Sequence, residues 1–194
     1  ELFTGKIDDA ILQADLARAA AIPSKSILFN IDQKADVINK NQVDALLAVF
    51  VKVFDDMCVY YGKQGYIAQF ERDLDSRGQY ADFMAAYEAI AGKHWHVGRE
   101  QALLEGGNIA KAYATATGAE AVMAQGILDK YRSQYRVSIE DFADQVFAYI
   151  TAQGPQFRLN FFVDEVGQYI ADNTKLMTTL QPIAERLPTK CRGH

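Results

Sequence analysis

The chain has too few cysteines for a disulfide framework: two, Cys58 and Cys191, in 194 residues. Small secreted scaffolds depend on such frameworks, so a reducing cytoplasm is the expected setting. Cys58 falls in an apolar helical pattern and reads as a small core residue. Proline is scarce, at four residues, and no low-complexity tract or internal repeat is present. Positive charge is in deficit: 20 Lys and Arg stand against 25 Asp and Glu, and the isoelectric point is about 5.2. That excludes a strongly basic nucleic-acid-binding surface over the whole chain, though not a local patch. No apolar run approaches the ~18–20 residues of a membrane span, so no membrane partner is expected. What is present is 49% hydrophobic, enough at this length for one domain with a sizeable core. The chain opens on Glu1-Leu2-Phe3-Thr4 and closes on Lys190-Cys191-Arg192-Gly193-His194. Both ends read as cuts in a longer protein.

Two short apolar runs stand out from a helical background. Ser26 to Asp32 lies between breakers and predicts a buried strand. Arg158 to Asp164 predicts a second, after the stop at Gly154-Pro155. Asp8 to Ala20 predicts a helix with Ile11, Leu12, Leu16 and Ala19 on one face. Asn39 or Asn41 caps a long helix through about Tyr61, with Leu46, Val49, Phe50, Val53 and Phe54 at spacings of three and four. Further helices are predicted over 65–76, 79–91, 99–104, 110–117, 119–135 and 139–153, punctuated by glycines. Ser138 and Asp141 open the last of these in a pattern like a capping box. Asn173 caps a final helix from Lys175 to about Arg186. The fold class that follows is α/β, predominantly helical. A small parallel β pair carries a large helical insertion at about 64–153. Two strands alone make a poor sheet, so an exposed strand edge is expected.

The second strand ends in Asp164-Glu165. An apolar strand closing on two adjacent carboxylates has the form of a Walker B motif, and open α/β sheets bind ligands at the carboxyl ends of their strands. In that reading Asp164 holds Mg²⁺, through water, and Glu165 polarises the attacking water. The bland reading is a core strand ending in a solvated acidic turn. The phosphate cradle G-x-x-x-x-G-K-[ST] is missing. Gly5-Lys6, Gly62-Lys63 and Gly92-Lys93 are followed by Ile7, Gln64 and His94, and none has a glycine five positions before its own. The chain therefore carries half of a nucleotide site at most.

The stretches Ile27-Leu28-Phe29-Asn30-Ile31-Asp32, Val49 to Phe54, Tyr60-Tyr61-Gly62 and Val163 to Ile170, with the helix through Leu187, together resemble the BrxC-type P-loop proteins of bacterial BREX phage-exclusion systems. The resemblance runs along most of the chain, and its two strand regions are its most specific parts. It implies a single partial AAA+-like domain over 1–194 and a cytoplasmic ATPase in the parent protein. It further implies ATP and Mg²⁺ as cofactors there, with none held tightly by this chain. Other BREX proteins are the implied partners, and DNA would be met indirectly or through regions outside the chain. Nucleotide would lie at subunit interfaces, and the exposed strand edge offers a route to a homo-oligomer. The site residues carried over are Asp164 for Mg²⁺ and Glu165 as base. The alternative reading is a non-catalytic helical protein–protein interaction module of a defence complex.

Other features read more plainly. His94-Trp95-His96 invites a metal, but i and i+2 on a helix face different ways, and no Cys/His cluster supplies further ligands. Trp95 is better read as a core anchor. Asp32 reads as a loop carboxylate capping a backbone N–H. Arg186, Lys190 and Arg192 suit a helix C-terminus better than a trans-acting arginine. Tyr60-Tyr61, Tyr131, Tyr135, Arg132 and Arg136 suit a core edge better than a nucleic-acid surface.

Overall fold

A computed structural model describes residues 5–31, 45–167 and 177–192. Within them the chain forms α1 (Ala10–Ala21), β1 (Ser24–Asn30), α2 (Ala45–Met57), α3 (Gly65–Ser76) and α4 (Tyr80–Ala91). A short α5 (Trp95–Gly98) runs into a 3₁₀ turn at Arg99–Gln101. There follow α6 (Gly106–Thr117), α7 (Ala121–Ala124), α8 (Ile127–Gln134), α9 (Ile139–Gln153), β2 (Arg158–Asp164) and α10 (Met177–Lys190). The architecture is predominantly helical α/β with one small parallel sheet. The expected caps Asn39, Asn41 and Asn173, and Asp32, lie outside the described residues.

Two compact units divide the chain. One comprises 1–49 and 137–194, the other 50–136. The helix α9, which the sequence places inside the insertion, groups with the sheet. Ser138 starts it: its Oγ accepts from the Asp141 N–H at 3.0 Å and donates to the Asp141 carboxylate at 2.7 Å. The shorter Asp thus replaces the usual Glu of a capping box by bonding the cap's hydroxyl.

In the sheet unit β1 and β2 pair in parallel, with Ile27 opposite Phe161, Leu28 opposite Phe162 and Asn30 opposite Asp164. Side chains alternate across a strand, and burial follows that alternation. Ile27, Phe29 and Leu159 are buried on one face, where Phe142 of α9 meets Phe161 edge-on at 6.3 Å. Burying such side chains contributes about 1.5–3 kcal/mol each. The other face is bare: Leu28 is 77% exposed and Phe162 54%. This corrects the expectation of buried strands: only one face of each is covered. The α1 helix corrects a second. Asp9 caps it, its carboxylate accepting from Ile11 N at 2.8 Å and Leu12 N at 3.1 Å. Yet no residue of α1 is buried, so the predicted core stripe covers nothing.

Further boundaries differ from the sequence reading: β1 spans Ser24–Asn30 in place of Ser26–Asp32, α2 ends at Met57 short of Tyr61, and α6 begins at Gly106 in place of Ala110. The predicted 119–135 helix is broken at Gly126, which takes φ 66° after an extended Gln125. The predicted 99–104 helix starts earlier and tightens into the 3₁₀ turn. The last helix passes through Pro182 and Pro188 and ends at Lys190, although proline removes a helical donor. Cys58 is half-buried, whereas Cys191 is buried, the reverse of what apolar context suggests for Cys58.

The second unit has an aromatic core. The Phe70 ring meets Phe83 at 5.1 Å, Tyr131 at 5.4 Å and Trp95 at 6.3 Å, all edge-on. Such pairs add about 0.5–1.5 kcal/mol beyond burial. Glu71 is wholly buried beneath them and is met by three donors: Tyr61 N at 2.6 Å, Trp95 Nε1 at 2.6 Å and Arg99 Nη1 at 2.9 Å. A buried carboxylate persists only when paired and hydrogen-bonded in this way. Gly65 is required at the start of α3, because a Cβ there would collide with the Tyr135 hydroxyl.

Candidate functional site

The candidate site lies at the carboxyl end of β2. Asp164 is the last strand residue and is exposed. Its Oδ1 accepts the Glu165 N–H at 2.8 Å, which leaves the second oxygen open to solvent. Glu165 turns the chain with φ 59°, a left-handed backbone that costs a non-glycine residue roughly 1–2 kcal/mol. Residues held there gather at functional sites, and an observed outlier is a fair pointer to one. From the neighbouring strand, the Asn30 side-chain amide donates to the Glu165 carboxylate.

Asn30 is the residue that the motif reading missed. The predicted strand bounds, Ser26–Asp32 and Arg158–Asp164, would set Asp32 opposite Asp164; β1 instead spans Ser24–Asn30, which brings Asn30 there. The bond occupies one Glu165 oxygen and ties the side chain to β1.

The fit to Mg²⁺ is partial. Mg²⁺ keeps several waters and takes one or two carboxylates together with substrate phosphates. Asp164, with one oxygen open beside a strand end, meets that requirement through water. Among the described residues no group of three or more His, Cys, Asp or Glu is placed to hold a metal.

The other sequence candidates are occupied elsewhere. His94 Nδ1 lies 2.9 Å from Glu88 Oε2 on the surface. Burial, followed by nearby Arg99, lowers the His96 pKa. Trp95 is buried on Glu71, as a core anchor should be. Arg186 pairs with Glu140 at 3.7 Å, and Lys190 pairs with Asp144, so both serve the α9–α10 contact. Three tyrosines of the second unit are committed to carboxylates: Tyr60 donates to Asp75 at 2.6 Å, Tyr61 to Glu100 at 2.6 Å and Tyr131 to Asp73 at 2.8 Å. Burial and then that acceptor push the Tyr61 hydroxyl up to about 12. The same unit holds a cleft of about 50 Å³ lined by Tyr66, Leu103, Ile127, Leu128 and Arg132, among others. Ligand pockets run to ≈ 300–1,000 Å³, so this cleft cannot enclose a nucleotide.

No protein-family model matches the chain, and no solved structure matches it significantly. The class defined by its own geometry is a helical α/β protein with an acidic pair at the end of a parallel strand.

Proposed function

We propose that this chain belongs to a BREX-type phage-defence ATPase and supplies the Walker B half of its nucleotide site. One observation carries the reading: Asp164 and Glu165 close a strand of a parallel pair, at the end where α/β sheets act. The Asn30 bond to Glu165 supports it, because it sets the two carboxylates apart: one open toward a hydrated ion, one restrained. ATP and Mg²⁺ are the cofactors of the assembled site, with Asp164 as the Mg²⁺-side carboxylate and Glu165 as the base. The setting is the bacterial cytoplasm. Among the described residues no helix is long and apolar enough to cross a membrane. Other BREX proteins are the partners, and DNA is contacted through other regions.

The test is equilibrium binding of a fluorescent ATP analogue with Mg²⁺, together with phosphate release. The chain alone is expected to bind weakly and to hydrolyse nothing, with Asp164→Ala indistinguishable from it. In the parent protein, Glu165→Gln should reduce hydrolysis by about 10²–10⁴-fold, the usual share of a general base, while sparing ATP binding. Unchanged hydrolysis in that variant would remove Glu165 from the mechanism.

A further inference from the structure

We draw no further inference here: the strongest candidate, the cleft of the second unit that Tyr66 and Arg132 line beside Gly106 at the start of α6, offers only a helix N-terminus and polar side chains that are half-buried or exposed, and nothing in the structure shows what fills it.

Discussion

Single residues carry most of the electrostatic cost in this molecule. Asp55 is buried, and burial pushes its carboxyl up to about 7, with the Arg72 guanidinium offsetting this only in part. The folded state therefore binds a proton that the unfolded chain releases near 4. The associated stability is fully present below the unfolded value and is lost as pH rises through about 7. Denaturant titrations at pH 5 and pH 8 should show the wild type losing on the order of a few kcal/mol across that window. Asp55→Asn keeps an acceptor for Arg72 and removes the titration, so its stability should change far less. Equal losses in both proteins would assign the pH dependence to other groups. At the same scale the candidate site was half legible. Asp164 and Glu165 announce themselves as an acidic pair after an apolar run. Asn30 does not, because an asparagine at a strand end is ordinary until the register sets it against Asp164. Glu71 was equally hidden. A glutamate within a helix reads as solvated, and only the convergence of Trp95, Arg99 and the Tyr61 N–H makes it a core residue.

Among the elements, the two helices that open the second unit end in the same way with different residues. After α3 the Gly78 N–H bonds Asp75 O at 2.8 Å and the Gln79 N–H bonds Leu74 O at 2.8 Å. This is the Schellman pattern, with glycine at φ 68°. After α2 the Val59 N–H bonds Asp56 O at 3.1 Å and the Tyr60 N–H bonds Asp55 O at 2.9 Å. The same motif there forces a β-branched residue to φ 69°, a genuine outlier for valine. Val59 is largely exposed, so little packing is lost on its removal. Val59→Gly should raise stability by about 1 kcal/mol, the relieved left-handed strain less the added entropy of glycine in the unfolded chain. A lowered melting temperature would show that the valine side chain contributes more than its exposure suggests. Helix existence was readable from periodicity, and α3 and α9 appear where the sequence places them. What periodicity could not show was whether a stripe has something to cover. The stripe of α1 is less sharply one-sided than that of α2, with alanines around the whole helix, and no residue of α1 is buried. Nor could it foresee that α10 continues through two prolines, because the packing of Ile183 and the ion pairs to α9 hold that helix together.

On the scale of the whole molecule, each compact unit has its own logic. The second unit is held by an aromatic cluster around Phe70 and contains the sole tryptophan, Trp95. Phe70→Ala should cost about 3–5 kcal/mol and shift the Trp95 emission to longer wavelength as the indole meets water. An unmoved emission maximum together with unchanged stability would mean that the cluster closes over the gap. Among the described residues the sheet unit instead relies on one covered face, with Leu28 and Phe162 exposed on the other. That bare face makes the protein sensitive to the identity of dissolved salts and not only to their concentration. Sulfate and phosphate are excluded from protein surfaces and strengthen apolar contact, whereas urea and guanidinium weaken it. Sulfate in the solvent would thus favour any contact that covers Leu28 and Phe162, and dilute urea would favour their exposure, so one protein would show two faces that differ only in what was dissolved around it.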